Sequence, residues 1–170
     1  MEWKPYDFPT LQRALAGFEG WFLAGGQSIS MFLNATWRDH GDIDVGVFAD
    51  DFQPLLLWLS AQGLAVSLCE QQQLVPFVGQ AISTGVHNAW ISDSVAHRFE
   101  VLSYPVQGDR VLFRRNPSVS WAKQDFVIQR GSILLVNPLV TLAFKYTTSE
   151  IRRKDQADID YLIKVFSDGI

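Results

Sequence analysis

Two aspartates separated by one apolar residue, Asp42 and Asp44, begin a segment in which Ile43, Val45 and Val47 alternate with polar or small residues. This alternation predicts a strand over residues 42–48, and side chains two apart on a strand project from the same face. Paired carboxylates are hard oxygen ligands that suit Mg²⁺ bridged to a triphosphate. The spacing therefore predicts a pair of metal ligands.

A glycine pair, Gly25-Gly26, stands between an apolar run and a segment with helical spacing of its apolar residues. Residues 21–24 are predicted as a buried strand, and residues 27–36 as a helix. Glycine tolerates positive φ and lets the backbone approach phosphate oxygens closely. The N–H groups and positive dipole end of the following helix favour the same anion.

Further helices and strands are needed to position these groups. The pattern predicts helices over residues 7–18, 138–147 and 151–166, and a further helix that has Asp50 or Asp51 as its N-cap and ends at residue 61. It predicts strands over residues 64–68, 86–91, 98–104, 111–114, 126–130 and 132–136. Residues 70–85 show no clear pattern, and Gln71, Gln72 and Gln73 indicate a turn or exposed segment. The order of elements predicts an α+β fold in which helices pack against a mixed β-sheet.

Size and composition set limits on the function. With 170 residues, of which 48% are apolar, the chain is expected to form a single domain, 1–170, with its C-terminal helices (about 138–166) packed on it. A formal net charge of −4 disfavours nonspecific nucleic-acid binding without excluding a nucleic-acid partner. One cysteine, Cys69, permits no internal disulfide. No signal-peptide pattern or run of eighteen apolar residues is present, so a cytoplasmic protein is expected.

A dinucleotide-binding Rossmann domain is the main competing fold. It requires a third glycine at Gly-x-Gly-x-x-Gly spacing, which is missing after Gly26. It also expects one acidic residue after the second strand, whereas this chain has two at the start of the strand. Both differences argue against a Rossmann domain.

The order of these motifs resembles that of nucleotidyltransferases of the DNA-polymerase-β type. The chain has Gly25-Gly26, a helix-length spacer, Arg38 and His40, and then Asp42-Ile43-Asp44. The Arg-x-His element just before Asp-Ile-Asp is most similar to the aminoglycoside and lincosamide nucleotidyltransferase branch. The resemblance covers residues 21–48 in detail and continues more weakly to residues 153–155. It implies the polymerase-β-like nucleotidyltransferase fold.

The resemblance implies catalytic and metal-binding roles for three carboxylates. Asp42 and Asp44 would bind Mg²⁺ or Mn²⁺, and a third carboxylate from a later strand would be a metal ligand or general base. Glu100, on the predicted strand 98–104, is the candidate, and Asp93 in a predicted turn is the alternative. Glu100 instead has a structural explanation if it pairs with Arg98 or Arg114.

The same resemblance implies a nucleotide-binding set. Its members are Gly25, Gly26, Ser28, Arg38, His40 and Lys145. His40 has an alternative role in bracing its loop, and Lys145 has one as a lysine extending along a helix surface, which is the more frequent role of such a lysine. The basic run Arg152, Arg153 and Lys154 is interpreted as structural, with Lys154 and Asp158 forming an i,i+4 ion pair.

The function implied is metal-dependent transfer of a nucleoside monophosphate, AMP from ATP in the first instance, from a nucleoside triphosphate to a hydroxyl acceptor. Two alternatives stay open: a nucleotide-binding or regulatory protein that has lost turnover, and a toxin-like transferase acting on RNA or protein. Ser30, where relatives often carry Asp, and the short chain motivate the first alternative. The acceptor, the preferred nucleotide and the oligomeric state do not follow from the sequence.

Overall fold

A computed structural model describes residues 1–169 and contains six helices and eleven strands within them. The helices are α1 Phe8–Ala14, α2 Gly25–Leu33, α3 Ala49–Ala61, α4 Lys123–Phe126, α5 Pro138–Tyr146 and α6 Arg153–Asp168. The strands are β1 Phe22–Ala24, β2 Asp44–Phe48, β3 Ala65–Glu70, β4 Gln73–Pro76, β5 Asn88–Ser92, β6 His97–Tyr104, β7 Val106–Gln107, β8 Arg110–Leu112, β9 Ser120–Ala122, β10 Val127–Arg130 and β11 Ile133–Val136. No helix in this part of the chain is long and apolar enough to cross a membrane.

Eight strands form the main sheet, in the order β10-β11-β1-β2-β6-β5-β3-β4. The β1–β11 and β2–β6 pairs are parallel, and the other neighbouring pairs are antiparallel. A second sheet contains β7, β8 and β9. The predicted α+β fold with a mixed sheet is confirmed.

The main sheet separates two apolar clusters because alternate side chains of a strand point to opposite faces. The first cluster joins Leu23, Val45 and Val47 to the helices α1 and α3, through residues such as Leu11 and Leu55. The second cluster lies on the other face, and it joins β1, β6 and β11 to α4, α5 and the small sheet. Its buried members are Phe22, Ala24, Tyr104, Val111, Phe126, Val136 and Val140.

Several predicted boundaries differ from the structure. The strand β2 begins at Asp44, so Asp42 lies in the loop before it, and α2 begins at Gly25, so the glycine pair is the first turn of the helix. The predicted N-cap at Asp50 or Asp51 is wrong: Phe48 is the cap residue, and both aspartates lie in the first turn of α3. Strands β4, β7 and β9 and helix α4 were not predicted, because segments of two to four residues show too little periodicity.

A buried carboxylate fixes α6 against the rest of the molecule. Asp158, fully buried, accepts hydrogen bonds from Arg38 Nε at 2.6 Å and Arg38 Nη2 at 2.7 Å, and it pairs with Lys145 Nζ at 2.9 Å. Trp37 Nε1 donates to the same carboxylate at 3.2 Å, and the Trp37 ring stacks on Tyr161 of α6. One aspartate thus joins α6 to α5 and to the loop between α2 and β2.

Replacing Asp158 with Asn is expected to destabilise the protein by about 3–5 kcal/mol, since it leaves the nearly buried guanidinium of Arg38 without its charge partner. Urea unfolding at neutral pH measures the change. Asp160→Asn is the matched control, because Asp160 is an exposed residue of the same helix bonded only to Gln156 among residues 1–169. Equal stability changes in the two variants would contradict the role assigned to Asp158.

Candidate functional site

The register of the main sheet brings the predicted carboxylates together. Asp44 is directly opposite Glu100 on the parallel strand β6, and it is opposite Ala24 on β1. The loop residue Asp42 lies two positions before Asp44, and the carbonyl of Ile43 accepts a bond from the Glu100 N–H. The pairing with β6 therefore already begins at Ile43, one residue before β2. The three acidic residues lie at this end of the β2–β6 pair.

Burial and neighbouring negative charge shift the pKa values of two carboxyl groups in this cluster. Burial, together with the nearby carboxylates of Glu100 and Asp42, raises the pKa of Asp44 to about 7. The pKa of Glu100 is also raised, mainly by burial, although the Asn88 side chain opposes that shift by donating to Oε1 of Glu100. Negative charge is thus concentrated on partly buried oxygens, an environment that a cation would stabilise.

Asp93, the alternative third carboxylate, lies elsewhere. It occupies the turn between β5 and β6, where it accepts from Arg98 Nε at 2.6 Å and from the N–H groups of Val95 and Ala96. The Arg98 hydrogen bond and the Val95 N–H lower the pKa of Asp93 to about 2. The structure thus places Glu100, and not Asp93, beside Asp44, and the possible Glu100–Arg98 pair is not formed.

Gly25 is in closest contact with the acidic cluster. Its φ is +62°, and a Cβ at this position would lie 1.9 Å from Oδ2 of Asp44. Only a residue without a side chain lets the start of α2 approach that carboxylate so closely. The first turn of the helix and the aspartate are therefore adjacent, as the sequence predicted.

Gly26 and Ser28 complete the first turn of α2. A Cβ on Gly26 would lie 2.4 Å from Arg38 Nη2 and 2.8 Å from His40 Nδ1, so the loop before β2 packs directly against the helix start. The fully buried Ser28 donates its hydroxyl to the Gly25 carbonyl at 2.8 Å. No side chain caps this end of α2 within residues 1–169, which leaves its first N–H groups available.

His40 lies below the glycine pair. Its Nε2 is 2.7 Å from the Ser30 hydroxyl, and its buried Nδ1 has no hydrogen-bond partner within the described residues. Burial and the neighbouring guanidinium of Arg38 lower the pKa of His40, so the ring is neutral at pH 7. Its position links the loop before β2 to the body of α2.

The two predicted phosphate-binding cations are both engaged by α6. Arg38 forms the two-pronged pair with Asp158 described above. Lys145 Nζ lies 2.8 Å from Asp155 and 2.9 Å from Asp158, and Arg152 Nε bonds the other oxygen of Asp155 at 2.6 Å. These cations lie close to the glycine turn, but acidic side chains neutralise them.

Lys154 contacts the acidic cluster directly. Its Nζ lies 2.6 Å from Oδ2 of Asp42, whereas the predicted i,i+4 pair between Lys154 and Asp158 is wrong because Asp158 bonds Arg38 and Lys145. Both members of the observed pair are about one-third exposed. The ammonium group of Lys154 thus bonds a carboxylate oxygen that was predicted to bind metal.

The donor set is chemically suited to Mg²⁺. Among residues 1–169, no three His, Cys, Asp or Glu side chains form a ready-made metal cluster. Mg²⁺ at nucleotide sites, however, is usually held by one or two carboxylates, with waters and phosphates as the other ligands. Burial and the carboxylates of Glu100 and Asp42 raise the pKa of Asp44, so a cation beside Asp44 would stabilise its charged form.

A cavity of about 420 Å³ adjoins the cluster. Gly25 lies on its wall, as does Leu102, which follows Glu100 by two residues on the same face of β6. The volume is within the range of small-molecule sites in proteins. The acidic cluster, the first turn of α2 and this cavity therefore adjoin one another.

The architecture is similar to that of a solved enzyme structure. It matches the crystal structure of the lincosamide antibiotic adenylyltransferase LnuA with lincomycin bound, at a TM-score of 0.61 over 92% of this chain and 96% of that chain. This chain has a nucleotidyltransferase-like fold. Sequence identity to that structure is 15%, so the likeness establishes the fold alone. No family model and no curated protein sequence matches the chain.

Three contacts at the site were missed from the sequence. Asn88 on Glu100, Lys154 on Asp42 and Asp155 on Lys145 each join residues that only the tertiary fold brings together. One signal was available for the last of them, because Asp155 and Asp158 are spaced to share one face of α6. Two acidic residues on the packed face of a helix predict cationic partners in the elements beneath it.

Gly25→Ala is expected to lower the free energy of unfolding by about 1–3 kcal/mol, because alanine is strained at positive φ and its Cβ would collide with Asp44. Urea unfolding measures the effect, with Gly41→Ala as the control because nothing lies within 4 Å of a Cβ there. In an Asp44→Ala background the loss should be smaller, since the collision is removed while the strain stays. An unchanged loss in that background would show that the two residues are not in contact.

Proposed function

We propose that this protein is a metal-dependent nucleotidyltransferase that moves a nucleoside monophosphate, AMP from ATP in the first instance, to a hydroxyl acceptor. The carrying observation is the convergence of Asp44, Glu100 and the first turn of α2 beside one cavity. The likeness to the fold of an adenylyltransferase supports the same reaction class. A hydroxyl-bearing small molecule is the simplest acceptor for a cavity of this size.

Asp42 and Asp44, with Glu100, are the residues proposed to hold Mg²⁺ or Mn²⁺. The bound metal would offset the negative charge that develops as pyrophosphate leaves. Strand pairing with β1 on one side and β6 on the other fixes the backbone of Asp44. Asp42, in the loop, is the more adaptable ligand.

Glu100 is proposed to accept the proton of the attacking hydroxyl. The hydroxyl oxygen forms a bond to the α-phosphorus, the bond from that phosphorus to pyrophosphate breaks, and the proton passes to the carboxylate. Burial raises the pKa of Glu100, which makes it a better proton acceptor than an exposed glutamate. The Asn88 side chain, by bonding Oε1, fixes the orientation of the group.

The phosphates are proposed to lie against the first turn of α2. The N–H groups there and the positive end of the helix favour an anion. Three side chains are proposed to support this turn. Ser28 bonds the carbonyl of Gly25, Arg38 bonds Asp158, and His40 bonds Ser30. Lys145, on the cavity wall, is the proposed cation for the phosphate chain.

Replacing both Asp42 and Asp44 with Asn is expected to reduce metal-dependent pyrophosphate release by about a hundredfold or more, because the charge that holds the metal is removed. The assay follows pyrophosphate from ATP with Mg²⁺ and a panel of hydroxyl acceptors. Asp39→Asn is the matched control, since Asp39 is an exposed residue of the same loop whose carbonyl, and not its carboxylate, bonds Arg38. Equal pyrophosphate release from the double variant and the wild type would contradict the proposal.

Binding must be measured beside turnover to separate the alternatives. A wild-type protein that binds a nonhydrolysable ATP analogue with Mg²⁺, yet releases no pyrophosphate with any acceptor in the panel, would favour the nucleotide-binding or regulatory alternative. A protein that binds no nucleoside triphosphate would refute both.

Lys154→Gln is expected to strengthen Mn²⁺ binding about two- to fivefold, because it removes the ammonium that pairs with Asp42. Titration followed by Mn²⁺ electron paramagnetic resonance measures the affinity without any turnover. Lys164→Gln, an exposed lysine of the same helix, controls for the change in net charge. An equal gain in both variants would mean that the contact with Asp42 does not compete with the metal.

A further inference from the structure

Two neighbouring arginines lie on the wall of the cavity beside the acidic cluster. Arg114 and Arg115 follow β8, and both line the same space of about 420 Å³ that Gly25 borders. The aromatic residues Tyr104 and Phe144 also line this cavity. A ligand in this cavity would therefore meet both aromatic surface and guanidinium groups.

These arginines differ from the other cations of the cavity in having no acidic partner. Arg114 donates to the carbonyl of Ser103, and Arg115 Nη1 donates to the carbonyl of Phe144 and, at 2.8 Å, to the hydroxyl of Thr147. None of the ion pairs found among residues 1–169 includes either arginine. By contrast, Lys145 and Arg152 both pair with Asp155.

The result is a local excess of positive charge. Burial lowers the pKa of Arg114, the adjacent Arg115 lowers it further, and only Tyr104 opposes the shift. A guanidinium nevertheless stays protonated at neutral pH, so the two charges persist side by side. An anion placed near both would relieve their repulsion.

The carbonyl bonds hold the arginines without using all of their donors. A guanidinium has five N–H donors, and the bonds to Ser103, Phe144 and Thr147 occupy a minority of the ten that the pair provides. The remaining donors have the planar fork geometry that binds two oxygens of a carboxylate or phosphate at once. The anchoring bonds come from β6 and α5, two elements that pack against the reaction site.

A second polar group on the same wall is unsatisfied. Thr141 of α5 is only 5% exposed, and its buried hydroxyl has no hydrogen-bond partner within the described residues. Buried hydroxyls normally have a partner, supplied by protein, water or ligand. Thr141 lines the cavity together with the arginines.

We propose that Arg114 and Arg115 form an anion subsite in this cavity, which binds the carboxylate or phosphate group of a ligand. That ligand also presents an apolar or planar portion to Tyr104 and Phe144. The anion has two sources in a nucleotidyl transfer: the phosphate chain of the nucleotide, or an acidic group on the hydroxyl acceptor. The choice between these two sources rests on the proposed function, whereas the subsite itself is defined by binding and is tested without turnover.

The test uses isothermal titration calorimetry on the wild type and the Arg114→Gln/Arg115→Gln double variant. Two probes are titrated into the free protein: α,β-methylene-ATP with Mg²⁺, and adenosine. The third probe, inorganic pyrophosphate, is titrated into protein that is already saturated with the ATP analogue. Arg110→Gln is the matched control. Arg110 lies in β8, shortly before the two arginines, and it bonds the backbone carbonyl and the hydroxyl of Ser120, but it does not line the cavity.

The double variant is expected to weaken binding of one anionic probe by about tenfold or more, while the control leaves it unchanged. Weaker binding of the ATP analogue with unchanged binding of adenosine identifies the nucleotide phosphates as the anion. Unchanged binding of the ATP analogue with weaker binding of pyrophosphate to the saturated protein identifies a separate site for an acidic acceptor. Unchanged affinity for both anionic probes, or a wild type that binds neither, overturns the proposal.

Stability is measured in parallel, to distinguish loss of the carbonyl bonds from loss of the subsite. The single variant Arg115→Lys retains the charge but lacks the fork. If thermal unfolding shows that this variant is folded, and it binds the affected probe with intermediate affinity, the effect is electrostatic and local. If it binds as weakly as the double variant while its unfolding midpoint falls equally, the effect is structural and the proposal is overturned.

Discussion

The contact between the backbone of Gly25 and the carboxylate of Asp44 is the constraint on which the site depends. It exists because β1 and β2 are paired with Ala24 opposite Asp44, so the residue that begins α2 lies over the aspartate. The absence of a side chain at Gly25 makes the approach possible. Pairing of Asp44 with Glu100 on the other side then adds the third carboxylate. Three strands and one helix start thus converge through backbone geometry alone.

Electrostatic balance around this point is divided between two groups of residues. Asp42, Asp44 and Glu100 form an acidic group in which burial and the neighbouring carboxylates raise the pKa of Asp44 to about 7. On helix α6 the acidic residues are instead paired with cations. Asp155 forms ion pairs with Lys145 and Arg152, and Asp158 forms one with Arg38. Lys154, from the same helix, crosses to Asp42 and links the two groups. The position of α6 therefore influences both how much negative charge is exposed and how many cations are available.

The sequence predicted the elements that depend on local patterns. Alternation around Val45 and Val47, the glycine pair, and Pro138 at the start of α5 are short-range signals, and each marked an element that the structure contains. The α+β class followed from their order. The very short strands were not predicted, because pairing with neighbours, and not their own residues, makes them strands.

The candidate site was predictable to the same degree. Asp42, Asp44 and the glycines belong to one contiguous stretch, and Glu100 was selected because its strand pattern was clear. The partners of Arg38 and Lys145 were not predictable, since Asp158 lies 120 residues from Arg38 along the chain. Ion pairs over such distances depend on how α6 docks, and docking is decided by packing of the whole domain. The roles of these residues in binding a nucleotide stay a prediction.

The division of the apolar residues between two faces of the main sheet has a consequence for how this protein tolerates change. The cluster built on α1 and α3 contributes most of the large buried side chains, whereas the cavity lies on the opposite face, beside β6, α5, α6 and the segment that follows β8. Substitutions that reshape the ligand-facing side need not disturb the packing that keeps the chain folded. Residues that line the cavity can therefore change while the packing around α1 and α3, and with it the architecture, persists.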